Sequence, residues 1–367
     1  MPPAARAVFP IEPFPSDLET HPLLVVDYTK IASRDQAEID QLYKACTSIG
    51  FFYLKNHGVD PEPMFAVGED TFDLPLDYLD QFEQGDSGMS AGFKRAGASN
   101  VDAKGNTDTV MFMNVNKHDA LNFPDVYQRT YPSTCVDNMA TIRSFVRQSD
   151  TVLKDVMKAL ESSLELPEGT FDKLHTDKEV SGSEVRVIKK AVPGEAGYRA
   201  EGVGENNEPA AAIGAHTDFG SLSMLHSRGT GGLQVLTPGA SKWVHIKPLA
   251  GHAVVNVGDT LSVYTGGIFR SNIHRVIPPP PPQDKYTRWS LVYFIRPTFE
   301  AALFPLSDLS PKIARVAEEN PAMKAIEPGQ TAGSWFKRRV SNQRTANRKG
   351  PETWTQSRGT EHTPTAA

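Results

Sequence analysis

Two histidines and one aspartate form the pattern in this chain with the clearest chemical meaning. His216 and Asp218 flank a single threonine, and His274 follows further along the chain. Two histidines and one carboxylate make up the facial triad that holds non-haem Fe(II) and leaves metal positions open for chemistry. Because side chains alternate across a β-strand, His216 and Asp218 should point to one face while Thr217 points away. The sequence therefore predicts that His216, Asp218 and His274 are metal ligands and catalytic residues.

A second pair of polar residues follows the triad at the same strand-like spacing. Arg288 and Ser290 are two residues apart, so they should share one face of a strand. A guanidinium fork beside a hydroxyl suits a carboxylate. A metal site with a carboxylate clamp about one strand away predicts Fe(II) chemistry with 2-oxoglutarate as the cosubstrate and O2 as the oxidant.

Each of these features has an ordinary explanation when it stands alone. A His-x-Asp run is common by chance, an isolated His274 would more often be a surface or core residue, and an isolated Arg288 would more often form a surface ion pair. Their order and context favour the joint interpretation, because all three segments show strand-like alternation.

Longer stretches of the chain carry a family resemblance, from about Leu23 to about Pro305. The chain resembles the 2-oxoglutarate- and Fe(II)-dependent dioxygenases of the isopenicillin N synthase-like branch. Apart from the triad and clamp, the likeness is carried by residues 45–59 (ACTSIGFFYLKNHGV), 231–235 (GGLQV), 243–248 and 254–259 (VVNVGD). His57 belongs to a packing motif in that family and is not expected to bind metal.

The resemblance implies an α+β fold whose core is a double-stranded β-helix, or jelly roll. N-terminal helices should pack around this core, and a helical extension should follow it. The expected regions are a flexible N-terminus at 1–22, a helical and mixed dioxygenase region at 23–180, the jelly-roll catalytic core at 181–305, and a C-terminal extension and tail at 306–367.

The resemblance also implies an oxygenase that hydroxylates a small molecule and releases succinate and CO2. Desaturation or rearrangement after C–H abstraction are equally within the family's range. The proline run and the tail are most similar to fungal members of secondary-metabolite biosynthesis, with tropolone ring-expanding enzymes as one candidate. Two alternatives stay open: an Fe(II) oxidase of the same fold that does not use 2-oxoglutarate, as isopenicillin N synthase does not, and a non-catalytic barrel that only binds a ligand.

One strand departs from the family pattern and bears on the substrate. Where relatives carry an asparagine and then a tyrosine that contacts 2-oxoglutarate, this chain has Ile188 and Lys190. By parity Arg186, Ile188 and Lys190 share a face, and an inward lysine needs an anion because burying it unpaired is costly. We therefore expect Lys190 to meet the cosubstrate or an acidic or phenolic substrate group, unless the strand is shifted by one residue and Lys190 is solvated. Arg186, Ile188, Phe294 and Phe93 are the expected substrate contacts.

Composition excludes several other classes of protein. The chain has 367 residues and a net charge of -6, so neither nucleic acid nor an anionic membrane is an expected partner. Two cysteines are too few for a disulfide framework, and the N-terminus lacks a hydrophobic signal core, which together with Fe(II) predicts a cytoplasmic protein. A monomer would be usual for the family.

Local patterns predict helices first and strands later. Residues 35–49 have helical spacing ending at Gly50, 61–84 are helical in part, and 136–166 form the longest amphipathic pattern. Residues 86–130 have no clear assignment, and from Val185 short alternating segments predict an antiparallel core. The five prolines at 278–282 should form a loop, because proline cannot donate to a β ladder. The basic residues after 335 predict a solvated face more readily than an anion-binding tail, with Trp335 and Trp354 packing on the body.

Overall fold

The structure is a computed structural model that describes residues 11–127, 129–203, 210–239 and 242–359. Its strands are β1 (Val25–Asp27), β2 (Phe51–Lys55), β3 (Gly92–Lys94), β4 (Met111–Asn116), β5 (Glu184–Lys190), β6 (Ile213–His216), β7 (Leu222–Ser227), β8 (Leu233–Leu236), β9 (Trp243–His245), β10 (His252–Val257), β11 (His274–Val276) and β12 (Arg288–Ile295). Its α-helices are α1 (Tyr28–Ala32), α2 (Gln36–Ser48), α3 (Glu62–Phe72), α4 (Leu76–Leu79), α5 (Lys117–Asn122), α6 (Ser133–Asp137), α7 (Met139–Leu160), α8 (Thr170–Leu174), α9 (Asp259–Tyr264), α10 (Pro311–Glu319), α11 (Pro321–Lys324), α12 (Ala332–Gln343) and α13 (Pro351–Gln356).

The strands form two sheets that make up the jelly-roll core. The larger sheet has eight strands in the order β1-β2-β10-β7-β12-β5-β4-β3, and the smaller has four in the order β6-β11-β8-β9. Apart from the parallel β1–β2 pair, the described pairings are antiparallel. The α+β jelly-roll prediction is confirmed. Strands β1 to β4 come from the region 23–180, so that region and the catalytic core share one sheet.

Alternation along β12 explains how one sheet serves both the core and the cavity. Leu291, Tyr293 and Ile295 belong to the large hydrophobic cluster that also contains the buried face of α7. Val292 and Phe294 point the other way, into a smaller apolar cluster between the two sheets. Full burial of such side chains contributes about 1.5–3 kcal/mol each, so this register is strongly specified.

The predicted helix over 35–49 is confirmed as α2, with its ends where the sequence signals them. The Asp35 side chain accepts a hydrogen bond from the Glu38 backbone N–H at 3.0 Å, which caps the first turn. Gly50 has φ +71, and a Cβ there would lie 1.9 Å from the carbonyl oxygen of Arg270. Only glycine fits this helix end, because both the backbone conformation and the space exclude a side chain.

Other predicted elements are of the expected type, but their boundaries differ from the predicted ones. The pattern over 136–166 becomes α6 and α7, and α7 ends well before Pro167. The proline run at 278–282 is a loop between β11 and β12, as expected. Strands β3 and β4 and helix α5 occupy the stretch that had no clear assignment. No helix in the described parts of the chain is long and apolar enough to cross a membrane.

Both ends of the chain lie partly outside the residues that the structure describes. Residues 1–10 of the expected flexible N-terminus and residues 360–367 of the expected tail lie outside the described ranges. The rest of the expected flexible N-terminus packs on the barrel: the ring of Phe14 lies 5.9 Å from that of His245, and Gln283 Nε2 donates to the Glu12 carbonyl at 2.8 Å.

Candidate metal centre and active-site cavity

The three predicted metal ligands meet at one point between the two sheets. His216 ends β6, His274 begins β11, and these residues are directly paired across the ladder. Asp218 lies just beyond β6 and turns its Oδ1 to within 3.7 Å of His216 Nε2 and 3.9 Å of His274 Nε2. The three ligand atoms all lie within 4.8 Å of one another. This is the spacing of side chains that share one metal ion.

Backbone carbonyls orient both imidazole rings. His216 Nδ1 lies 2.8 Å from the Gly214 carbonyl oxygen, and His274 Nδ1 lies 3.2 Å from that of Asn272. A hydrogen on Nδ1 in each ring leaves the Nε2 lone pair facing the shared point, which is the tautomer that a metal requires. Burial and the neighbouring His274 lower the pKa of His216 to about 3. A neutral imidazole is therefore available at this position.

Two hydrogen bonds to one oxygen fix the orientation of the Asp218 carboxylate. Its Oδ2 accepts from Ser223 Oγ at 2.6 Å and from Asn256 Nδ2 at 2.8 Å, which leaves Oδ1 for a metal. Burial would raise the pKa of Asp218, but the two histidines and these two donors outweigh burial and lower it to about 2. The donor set of two imidazole nitrogens and one ionised carboxylate fits Fe(II).

A buried carboxylate outside the ligand set connects the two ligand-bearing segments. Asp259 Oδ2 accepts from Thr217 Oγ1 at 3.1 Å, and its Oδ1 accepts from Ser271 Oγ at 2.8 Å. Its backbone N–H donates to the Asp218 carbonyl at 2.8 Å. Arg339 of α12 forms an ion pair with Asp259 and donates from Nη2 to the Thr217 carbonyl at 2.9 Å. Thr217 points away from the metal point, as predicted, because its hydroxyl belongs to this network.

The predicted carboxylate clamp lies on β12, in the sheet opposite the one that carries the two histidines. Arg288 is 3% exposed; its Nη1 donates to Ser290 Oγ at 2.7 Å and its Nε donates to the Gly231 carbonyl at 2.8 Å. Burial lowers the pKa of Arg288 to about 10. No carboxylate of the described residues forms an ion pair with this guanidinium, so its charge is available to an anionic ligand.

One cavity contains the metal point, the clamp and several predicted substrate residues. Arg186, Ile188 and Phe294 line it, as expected from strand parity. The Arg186 guanidinium carbon lies 4.1 Å from the ring centre of Phe112 and 5.1 Å from that of Phe294. The site therefore combines two metal-facing histidines with an aromatic and cationic wall from the opposite sheet.

Two predicted site residues do not line this cavity, among the residues that the structure describes. Phe93 is fully buried in the large hydrophobic cluster, because β3 turns it toward the helices and turns Lys94 toward the cavity. The expectation that Phe93 contacts substrate is therefore corrected. Lys190 is buried, as expected, and its Nζ lies 2.8 Å from Glu201 Oε1. The anion that it meets belongs to the chain itself, and its contact with cosubstrate stays a prediction.

The cavity has further polar residues that the sequence argument missed. Arg296 continues the inward parity of β12 and could have been found by extending it. Lys94 directly follows the residue that was chosen. Gln343 and Arg344, from the end of α12, and Trp354, from α13, had no sequence signal, since the C-terminal segment gives no indication that it returns to the cavity.

Comparisons with known proteins agree with the geometry. The family model described as the 2OG-Fe(II) oxygenase superfamily matches residues 195–297, and the model described as the N-terminal region of non-haem dioxygenases in morphine synthesis matches residues 23–138. The chain is 30% identical to the 2-oxoglutarate-dependent dioxygenase frbH of a Dothideomycetidae species, covering 77% of this chain and 84% of the relative. It is 29% identical to thebaine 6-O-demethylase of Papaver somniferum, covering 87% and 80%.

A solved structure supports the fold independently. A full-length Neurospora crassa protein, crystallised in complex with alpha-KG and thymine, superimposes with a TM-score of 0.69 at 21% identity. The match covers 87% of this chain and 96% of the Neurospora chain. At this identity the likeness extends to the fold, and the chemistry rests on the residues described above.

Proposed function

The chain belongs to the 2OG-Fe(II) oxygenase superfamily, and we propose that it hydroxylates a small-molecule substrate with Fe(II), 2-oxoglutarate and O2. Succinate and CO2 would be the co-products. Desaturation or rearrangement after the same C–H abstraction would use the same residues. Natural-product biosynthesis is the proposed setting, because the relatives include a demethylase of thebaine and dioxygenases of fungi.

The observation that carries the proposal is a buried cation without a carboxylate partner, beside a complete ligand set. Arg288 has only neutral hydrogen-bond partners among the described residues. An uncompensated buried charge is costly, so a site that retains one is built for an anion. The distal carboxylate of 2-oxoglutarate meets that need, with Ser290 Oγ as a second donor.

Each residue of the site would have a distinct task. His216, Asp218 and His274 would hold Fe(II), which supplies the redox chemistry that couples oxidation of a C–H bond by O2 to conversion of 2-oxoglutarate into succinate and CO2. Ser223 and Asn256 would keep Asp218 in its ligating orientation. Outer contacts of this kind commonly change metal affinity by about 10- to 100-fold.

The apolar residues of the cavity would exclude water and orient the substrate. Ile188, Val292 and Phe294 line the wall of the larger sheet, and Phe51 and Leu233 line the cavity near the histidines. Holding the substrate carbon near the metal point turns a bimolecular step into an oriented one, which is the protein's main contribution to such chemistry.

The test is an anaerobic titration of the Fe(II)-loaded protein with 2-oxoglutarate, followed by the visible metal-to-ligand charge-transfer band. A saturable band supports the proposal. Bound iron without a band would favour the same-fold oxidase that does not use 2-oxoglutarate, and lack of iron binding would favour a non-catalytic barrel.

Two variants make this test specific to the ligand set. His216→Ala should lose both iron binding and the band, whereas His118→Ala, a matched change on α5 away from the cavity lining, should keep both. Iron binding retained by His216→Ala would contradict the assigned ligand set.

A further inference from the structure

The charged residues of the cavity wall at β5 carry more positive than negative charge. Glu184 is 1% exposed, and its Oε1 accepts from Arg186 Nη2 at 3.0 Å and from Arg296 Nη2 at 3.3 Å. Its Oε2 accepts from the hydroxyl of Ser90, which carries no charge. Two guanidinium groups therefore share one carboxylate, and the cluster has one positive charge in excess.

The other cations of the cavity wall, apart from the cosubstrate clamp, are matched by acids. Lys94 forms a buried ion pair with Asp108. Arg344 contacts two carboxylates, donating to Asp86 from Nε at 2.6 Å and to Glu83 from Nη2. The excess positive charge is therefore local to the Arg186–Arg296–Glu184 cluster and does not extend to the rest of the cavity.

We propose, resting on the proposed function, that the substrate is an organic acid whose anionic oxygen, a carboxylate or a phenolate, binds the guanidinium of Arg186. As at the cosubstrate clamp, a desolvated guanidinium without a full carboxylate partner attracts an anion. Arg186 is the accessible member of the cluster, with its side chain 20% exposed against 5% for Arg296.

Strand register separates this subsite from the cosubstrate clamp. On the β5–β12 ladder Arg288 pairs with Lys190, and Arg186 pairs with Val292. Four strand residues correspond to about 13 Å. Glu184, which holds Arg186, lies still further from Lys190 along β5. Because the backbone positions of the two arginines are this far apart along the strand, we assign the cosubstrate to Arg288 and the substrate to Arg186.

The guanidinium of Arg186 is fixed in orientation and has donor capacity left. Nε donates to Asn114 Oδ1 at 2.8 Å, Nη2 contacts Glu184, and the plane packs against the rings of Phe112 and Phe294. Nη1 forms no hydrogen bond with any residue of the described ranges. A rigid cation beside aromatic rings suits an acid with a flat apolar body, since the rings contact the body while Nη1 binds the anionic oxygen.

The experiment compares probe molecules that differ mainly in charge. Binding to the anaerobic protein with Fe(II) and 2-oxoglutarate is measured calorimetrically for cinnamate against cinnamamide, indole-3-acetate against indole-3-acetamide, and ionised 4-nitrophenol against 4-nitroanisole. The first two pairs test a carboxylate and the third tests a phenolate. We expect the anion of at least one pair to bind about 10- to 100-fold more tightly than its neutral partner, as a charged hydrogen bond predicts.

Two variants assign that preference to its residue. Arg186→Gln should reduce the ratio to about twofold or less while leaving 2-oxoglutarate affinity unchanged, because a neutral donor replaces the charge far from the clamp. The double variant Arg344→Gln with Glu83→Gln removes a matched guanidinium and carboxylate from the same cavity wall without changing its net charge, so it should keep the preference.

Three results would overturn the inference. They are equal binding within every pair, a preference that survives Arg186→Gln, and a failure of every anion in the set to bind. The charge-transfer band is measured before any probe is added. Its absence would therefore count against the proposed function, whereas a normal band with any of these three results would count against the acid subsite alone.

Discussion

Replacing Arg339 by methionine should weaken both the fold and the metal site, although Arg339 touches no metal ligand side chain. Its guanidinium is fully buried. It pairs with Asp259 through Nη1, donates from Nη2 to the Thr217 carbonyl at 2.9 Å, and donates from Nε to the Ser357 carbonyl at 2.6 Å. The change therefore removes the contacts to Asp259 and Thr217 from the network that joins the segments bearing His216, Asp218 and His274, and it removes the contact of Arg339 with the C-terminal segment.

The expected loss follows from the charge that the variant leaves behind. Breaking a buried ion pair by removing one partner costs about 3–5 kcal/mol, because the other charge stays desolvated. Asp259 is 0% exposed, which favours the upper part of that range. The double variant Arg339→Met with Asp259→Asn should recover part of the loss, since the carboxylate that Arg339 neutralises is then removed together with it.

Urea unfolding of the metal-free protein gives the loss of stability directly, and a Mn(II) titration of the folded protein gives the effect on the metal site. Metal affinity should fall by roughly 10-fold or more, as for other groups that orient ligands from outside. Arg338→Met is the matched control: it lies on the same helix, is less buried, and donates to the Gln356 carbonyl at 2.7 Å. A loss below about 1 kcal/mol with unchanged Mn(II) affinity would refute the reasoning, because surface substitutions already change stability by about 0.5 kcal/mol.

Two further predictions concern the cosubstrate and the response to pH. Arg288→Ala should weaken 2-oxoglutarate binding by about 1.5–3 kcal/mol in the anaerobic titration, and by more than Lys190→Met does, because Glu201 already pairs with Lys190 whereas the described partners of Arg288 are neutral; the reverse order would move the clamp to Lys190. Burial lowers the pKa of His175 from its ordinary value of 6.5 to about 4, so the unfolded chain takes up a proton that the folded protein does not. Stability should therefore be complete above pH 6.5 and fall as pH drops from 6.5 toward 4, by about 2 kcal/mol at pH 5, and His175→Gln should remove that part of the dependence in urea unfolding at pH 7 and pH 5.

The metal centre could be predicted because its information is local. His216 and Asp218 are two residues apart, and strand parity alone puts their side chains on one face. The same rule predicted that Arg288 and Ser290 share one face of a strand, and both line the cavity. The direction of a side chain can be predicted from sequence where it depends only on the residue's own strand, provided that the strand itself is recognised.

Prediction failed where the direction of a side chain depends on elements that sequence does not reveal. Phe93 was chosen from a segment with no clear secondary structure, and in β3 it turns to the core while Lys94 turns to the cavity. Lys190 had the predicted burial, but the acid beside it, Glu201, lies in a loop whose path no pattern specifies. The burial of Lys190 could therefore be predicted from its strand, whereas its partner Glu201 could not.

The basic C-terminal segment shows most clearly why charge alone does not predict a role. Its basic residues predicted a solvated face, yet Arg339 and Arg344 are buried and neutralise acids from distant parts of the chain. Arg339 matches Asp259 beneath the metal ligands, and Arg344 matches Glu83 and Asp86 at the cavity wall. Because those acids need counter-charges, the segment completes the site and does not merely follow it. The only positive charges of the described cavity wall that it leaves unmatched are the two that we assign to ligands, at Arg288 for the cosubstrate and at the Arg186 cluster for the substrate.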